Sequence, residues 1–379
     1  MTNKVDSILV LNLGSSSIKF QLFSISHDLK LIIKGQILNL YQSPIFECDF
    51  LTSNTPKQVQ KLPLDSSLED SLRFISNWLN QINHKWNIMT VAHRIVHGGR
   101  EFSTHTLINE EVYIRLKSLA PLAPLHQEQN LKAIEIMKHH HPNIIQIACF
   151  DTVFHRTRFP IYTEYALPKK IRDYGIQKYG FHGLSYEWIV HCLKRDFPNI
   201  AEGRIIAAHL GNGSSLCAMK NGTSIDTTMG FTPLEGLVMG TRCGSIDPSI
   251  VTYLINKIGY TCEEVEQILN NESGLLGLSE ISHDLRVLEQ SHEYQAKFAL
   301  DYYCTKVAQM IGMMIVALGG IDAIIFTGGV GENSILVREN IQKYLSFLPP
   351  FEARVIKANE EWIMAKHAIK LLKSTSKLD

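Results

Sequence analysis

Apolar runs that stop abruptly at glycine and hydroxyl residues organise this chain. Residues 205–210 (IIAAHL) are apolar apart from His209, Gly211-Asn212-Gly213-Ser214-Ser215 follows, and a second apolar run covers 216–219. The short turn Lys220-Asn221-Gly222 then leads towards Thr241-Arg242. The same design stands near the start. Residues 8–13 are apolar apart from Asn12, Gly14-Ser15-Ser16-Ser17 turns, and residues 18–23 continue with Lys19 just past the turn. Buried strands carry apolar runs of this length, and a turn rich in Gly and Ser lets backbone N–H groups approach an anion closely. Two such units, about half a chain apart, predict two phosphate cradles facing one ligand.

Elsewhere the pattern predicts further elements. Alternation over 8–37 gives a meander of three strands, and residues 41–66, with three prolines, read as loop or edge structure. Leu68, Leu72, Ile75, Leu79 and Ile82 fall at helical spacing. A strand over 88–92 delivers His93-Arg94 and then His97-Gly98-Gly99. Helices are expected over about 109–119 and 128–140, with Pro121 and Pro124 breaking the chain before His126. Residues 144–150 form a strand with Asp151 just beyond its C-terminal end, where open α/β sheets carry ligands and chemistry. A change of domain is expected near Asp151. The aromatic, irregular segment 151–184 reads as cleft lining, and Ser185 as the N-cap of a helix to about 195.

Helical punctuation is clearer further on. Asp247-Pro248 starts a helix that Gly259 ends, and Thr261 with Glu264 makes a capping box. A long helix over 292–318 stops at Gly319-Gly320. A strand over 323–326 then runs into a third glycine loop, Thr327-Gly328-Gly329-Val330-Gly331-Glu332-Asn333. A last strand near 353–357 precedes Asn359-Glu360-Glu361 and a C-terminal helix.

Composition narrows the function. At 379 residues the chain exceeds one typical core, so two domains are the expectation. Lys plus Arg equals Asp plus Glu at 37 each, so no global field favours nucleic acid or a membrane surface. The seven cysteines form no C-x-x-C pair and no metal spacing, as expected of reduced, buried thiols in a cytosolic protein. Residues 307–326 are the most apolar long segment, but Gln309, Gly312, Gly319, Gly320 and Asp322 interrupt them, which excludes a membrane span. No secretory signal is expected, because Lys4 and Asp6 lead directly into a strand.

None of the glycine loops is a P-loop or a G-x-G-x-x-G fingerprint. Each alone reads more readily as a plain hairpin, but three loops after buried strands suit a polyphosphate. Arg94 follows a strand and Arg242 sits among glycines. Either could clamp phosphate or carboxylate with its planar fork, or form a surface ion pair. His126, His182 and His209 sit at strand ends or beside proline or glycine, where a lone histidine is more often structural than catalytic. His139-His140-His141 reads as a solvated helix terminus closed by Pro142. Asp151 could orient a metal, an arginine or a nucleophile, and Asn12 and Glu360 could supply oxygen ligands to Mg²⁺.

Taken together, the motifs resemble the acetate kinase family of acyl-phosphate-forming kinases. They are NLGSSSIKF at 12–20, AHRIVHGG at 92–99, LAPLH at 122–126 in part, FDTVFH at 150–155 and YGFHG at 179–183. HLGNGSS at 209–215, DTTMGFTPLEGLVMGTR at 226–242, FTGGVGENS at 326–334 and NEEWIMA at 359–365 complete the set. The resemblance implies an α/β enzyme of two duplicated ribonuclease H-like (actin-like ATPase) domains with a central nucleotide cleft, usually a cytoplasmic homodimer. Residues 1–150 with 361–379 would form one domain and 151–360 the other. It also implies that Arg94, His182 and Arg242 hold the transferring phosphoryl group, with Asp151 as active-site acid and His126 beside the same centre. Asn12 and Glu360 would serve Mg²⁺, with Mn²⁺ as a substitute. Ser15, Ser17, Lys19 and the segment His209, Leu210, Gly211, Asn212 and Gly213 would contact the phosphates of ATP or ADP. Asp284, Leu285 and Arg286, with Gly329, Val330, Gly331, Glu332 and Asn333, would bind the nucleoside end. Val96, Leu125, Phe181 and Pro233 would enclose the methyl group of acetate.

The chemistry is consistent with that set. A carboxylate is already ionised at neutral pH, so it needs no general base to attack phosphorus, and catalysis reduces to screening charge and alignment. Asp151 is therefore expected to orient Arg94 or a metal-bound water. Domain closure over the cleft is expected, because excluding water prevents wasteful ATP hydrolysis. Some positions depart from the family's usual pattern. Gln127-Glu128 stand where Asn-Pro is common, Leu184-Ser185-Tyr186 where Thr-Ser-His is, and Cys243-Gly244-Ser245 where Ser-Gly-Asp is. Propionate or butyrate in place of acetate is the alternative, since one methylene changes binding by only about 1–3 kcal/mol. An actin-like ATPase without kinase activity is a further one, against which the presence of Arg94, His182 and Arg242 speaks.

Overall fold

The computed structural model describes residues 4–14, 17–25, 29–40, 42–52, 55–82 and 86–375, and within these the side chains of 124–126 are not described. The chain divides into two compact units, Met1–Val153 with Asn359–Asp379, and Phe154–Ala358.

The first unit is built on eight strands: β1 (Val5–Leu13), β2 (Ser17–Ser24), β3 (Lys30–Leu38), β4 (Ile45–Phe50), β5 (Gln58–Lys61), β6 (Trp86–Ile95), β7 (Thr106–Leu107) and β8 (Ile145–Phe150). Their order is β5-β4-β3-β2-β1-β6-β8-β7. Strands β1 to β5 pair antiparallel in sequence, so β4 and β5 supply one edge of the sheet, as expected for that region. β1, β6 and β8 run parallel. Leu9, Leu11, Leu13, Phe20 and Leu22 turn one way, into a core shared with helices Leu68–Ile82 and Pro124–His140. The C-terminal helix Glu360–Ser374 packs on β1 and β6.

The second unit holds β9 (Arg204–Leu210), β10 (Ser214–Lys220), β11 (Thr223–Thr227), β12 (Ala323–Thr327) and β13 (Glu352–Val355), in the order β11-β10-β9-β12-β13. The first three are antiparallel and the last two run parallel to β9. This repeats the order and sense of β3-β2-β1-β6-β8. Ile206, Ala208 and Leu210 pack against the helix Tyr294–Leu318, while Ile205 and Ala207 pack against the helix Gly183–Asp196. With both faces covered, the strand is apolar throughout instead of alternating. Asn221 and Gly222, at φ 54° and 70°, make the β10–β11 hairpin turn.

Several boundaries differ from the sequence reading. The helix placed after Ser185 begins at Gly183, with His182 at its N-cap in a left-handed conformation (φ 58°), and Ser185 is buried within it. The helix placed at 128–140 starts at Pro124, so its first turn contains His126. The glycine segment Gly328–Asn333 is a short helix and not an open loop. The units part at 153/154 and 358/359, which places Asp151 and Glu360 in the first. There, the Asp151 backbone N–H donates to the Ile95 carbonyl at 3.1 Å.

Candidate active site

In the first unit, three parallel strands deliver Asn12, Arg94 and Asp151 at or just past their C-terminal ends, and the first turn of the C-terminal helix adds Glu360 and Glu361. Arg94 forms a bidentate pair with Asp151, Nε to Oδ1 at 3.0 Å and Nη2 to Oδ2 at 2.6 Å. Its Nη1 donates to Asn12 Oδ1 at 3.2 Å and stands 3.8 Å from Glu360 Oε2. Asn12 Nδ2 donates to Glu361 Oε1 at 2.9 Å and reaches Glu360 Oε2 at 3.5 Å, the distance at which Gln21 Nε2 meets Glu361 Oε2. Burial opposes the charge on Arg94, but the negative charge of Asp151, Glu360 and Glu361 outweighs it and holds the guanidinium protonated. Three carboxylates against one guanidinium leave surplus negative charge among hard oxygen donors, which fits a divalent cation of the Mg²⁺ or Mn²⁺ type. Gln21 carried no sequence signal, and Glu361 stood in the 359–365 motif without an assigned role, because only the fold brings positions some 340 residues apart together.

In the second unit, His182 and Arg242 converge on the turn after β9. A Cβ placed on Gly213 would lie 3.6 Å from Arg242 Nη1 and 3.7 Å from His182 Nε2, so both side chains face the space beside that glycine. Arg242 Nη1 also donates to the Pro233 carbonyl at 3.4 Å. The His182 and His209 rings stack 4.2 Å apart. His182 Nδ1 meets Ser215 Oγ at 2.8 Å, as does His209 Nδ1 the Ser185 Oγ, and Ser215 Oγ also meets Tyr186 OH. Phe181 is buried, and its carbonyl accepts from His155 Nε2 at 2.9 Å.

The remaining glycine segments gather at the same end of this sheet. Thr327 pairs with His209, so the turn at 211–213 and the helix Gly328–Asn333 follow neighbouring strands. A Cβ on Gly211 would lie 3.9 Å from the Gly329 backbone nitrogen. The Asn212 side chain lies against Gly240, which also neighbours the His283 carbonyl just before Asp284.

Other expected contacts take a different form. Leu210 and Leu285 turn their side chains into the core, so each can offer a ligand only backbone groups. Glu332 Oε1 accepts from the backbone N–H of Gly328 and Ala358 at 3.1 and 2.8 Å, and Asn333 Nδ2 donates to the Gly329 carbonyl, so both side chains brace the segment itself. Asp284 caps the helix Leu285–Gln290 and pairs with Arg286, whose side chain is 83% exposed. Val330 packs partly buried against the core, Gly331 is buried, and Lys19 is exposed on β2 beyond Ser17. Val96 is buried in the first unit. Ser15 lies outside the described residues, as do the side chains of Leu125 and His126.

The two units repeat a duplicated ribonuclease H-like fold of the actin-like ATPase kind, a class that includes phosphotransferases. The chain belongs to the acetokinase family, whose model matches residues 7–366. It is 41% identical to an acetate kinase of Nitrobacter hamburgensis, over 97% of this chain and 96% of that one. It is 38% identical to an acetate kinase of Rickettsia prowazekii, over 97% and 100%. Among solved structures, a propionate kinase from Francisella tularensis superposes with TM-score 0.88 at 34% identity, covering 95% of this chain and 98% of that one. An acetate kinase from Porphyromonas gingivalis gives 0.84 at 31%, covering 97% and 100%. Kinases of this family are phosphotransferases with a carboxyl acceptor and work with ATP and a divalent metal.

Proposed function

We propose that this protein is an acetate kinase, transferring the γ-phosphoryl group of ATP to acetate, reversibly, to give acetyl phosphate and ADP. The observation that supports the reading is the convergence of His182 Nε2 and Arg242 Nη1 beside Gly213, a pair of donors suited to an oxyanion. An acetate oxygen attacks the γ-phosphorus in line as the bond to the bridging oxygen of ADP breaks, and no proton has to be removed. His182, Arg242 and Arg94 screen the phosphoryl oxygens. Asp151 holds the Arg94 fork rigid and is not a base. Asn12 and Glu360 would hold Mg²⁺, which when bound screens the polyphosphate charge. The turn at 209–213 and the segment 329–333 receive the nucleotide through backbone N–H groups, with 284–286 at its nucleoside end. Phe181 and Pro233 would line the acyl side of the second unit, the role that the family resemblance implies for them.

The reading includes a cytoplasmic homodimer without nucleic-acid or membrane partners. Among the described residues no helix is long and apolar enough to cross a membrane. Exposed Tyr294, Phe298, Met313 and Val316 fall along one face of the helix Tyr294–Leu318, which supports association of two copies. The reaction is tested by trapping acyl phosphate with hydroxylamine in the presence of MgATP and acetate, propionate, butyrate or no acid. The strongest signal is expected with acetate. A stronger signal with a longer acid moves the substrate and keeps the chemistry, and none with any acid overturns the kinase reading.

A further inference from the structure

We infer that Tyr186, acting through Ser215, is a positioning residue that fixes the tautomer of His182, so that a neutral imidazole presents Nε2–H to the oxyanion beside Gly213. The inference rests on the proposed reading only for what occupies that space. Tyr186 stands one turn into the helix that His182 caps and is fully buried. Its ring is held at 5.7 Å from His155, edge to face, and at 6.3 Å from Phe154. Tyr186 OH meets Ser215 Oγ at 2.5 Å, and Ser215 Oγ meets His182 Nδ1 at 2.8 Å. A phenol is more acidic than an aliphatic hydroxyl, so the favoured order is Tyr186 donating to Ser215 and Ser215 donating to Nδ1.

An Nδ1 that accepts leaves the ring proton on Nε2, the atom 3.7 Å from the Gly213 Cβ position. The other tautomer would turn a lone pair towards the oxyanion and repel it. Among the described titratable and charged groups of this unit, His209 stacks on the His182 ring, Arg242 stands across Gly213, and Tyr186 reaches it through Ser215. His155 lies behind it, its Nε2 donating to the Phe181 carbonyl and its ring packed on Tyr186. The phenol belongs to this chain's own Leu184-Ser185-Tyr186 in place of the commoner Thr-Ser-His.

The test compares Tyr186→Phe and Ser215→Ala with the unaltered enzyme at pH 8 and pH 6. At pH 8 kcat is expected to fall about tenfold, with KM for the acid changed less than twofold. At pH 6 the loss should shrink below about twofold, because an imidazolium, with an ordinary value of about 6.5, carries protons on both nitrogens. An equal loss at both pH values marks a structural role and overturns the inference. ¹⁵N imidazole spectra, with His182 assigned by its absence in His182→Gln, supply a readout that needs no turnover. The unaltered protein at pH 8 should show His182 protonated on Nε2, and protonation on Nδ1 overturns the inference even where the variants fail to fold. Ser215→Thr, which keeps the hydroxyl, should retain the original pH profile. If the unaltered enzyme forms no acyl hydroxamate, the kinase reading fails while the spectrum still decides the tautomer.

Discussion

At the scale of single residues, Arg94 and Asp151 act as one device. A bidentate carboxylate leaves the guanidinium no freedom to swing, so its Nη1 edge stays aimed at Asn12 and Glu360. Arg94→Lys keeps the charge but loses the fork, and kcat is expected to drop about 10²–10³-fold. Asp151→Asn removes the countercharge, with an expected loss of about tenfold or more in kcat, measured by the hydroxamate assay. A near-full rate in that variant would rule out an essential role for the Asp151 charge. Both positions were legible in the sequence as strand-end residues, although Arg94 there stood open between an anion clamp and a surface ion pair. Glu361 and Gln21 were not, since no local pattern couples β2 to a helix at the far end of the chain. Ser185 misled for a related reason. A hydroxyl before an apolar run reads as a cap, whereas here its Oγ is used on His209 and the left-handed His182 starts the helix.

At the scale of elements, the segment carrying Pro233 and Arg242 has little regular structure and is held by side chains. Tyr165 OH donates to Glu235 and accepts from the Phe231 N–H at 2.9 Å. Gly230 is glycine because a Cβ there would strike both Tyr165 and Glu235. Gly230→Ala is expected to cost about 1–3 kcal/mol of stability, read from the urea midpoint. Tyr165→Phe should raise KM for the acid several-fold with a smaller effect on stability, since Pro233 and the Arg242 fork share that loop. If both variants match the unaltered enzyme in KM and urea midpoint, the brace is idle. The strands here were legible because β9 is apolar on both faces. The brace was not, because an aromatic residue and a glutamate 70 positions apart give no periodic signal.

At the scale of the whole molecule, stability carries a pH signature. Burial lowers His155 to about 3, helped by the Arg158 charge and opposed by the hydrogen bond to the Phe181 carbonyl. Burial likewise lowers His93 to about 4 against the hydrogen bond to Gln146. Both are neutral in the folded chain and protonate once it unfolds. Their contribution is therefore full above about pH 6.5 and declines as pH falls towards those values, by up to about 1.4 kcal/mol per pH unit for each group. Asp226, raised by burial, works in the opposite sense. Urea midpoints between pH 7.5 and 4.5 should fall steeply, and less so in His155→Gln. A flat profile would refute the neutral buried pair. Association is checked by light scattering of Val316→Asp, which should shift the protein towards monomer if the exposed stripe on that helix is the interface.

The repeated strand order has a consequence for how such an enzyme diversifies. In the second unit everything between β11 and β12, including the Pro233 and Arg242 segment and the long helix, is one excursion between neighbouring steps of the shared plan. The long helix in that excursion is tied to the sheet by the shared core, but residues 229–238, around Pro233, lie outside the strand registers. Substitutions confined to 229–238 can therefore accumulate while β9, β10 and β12 keep their pairing, so that the loop and the sheet beneath it are free to change at separate rates.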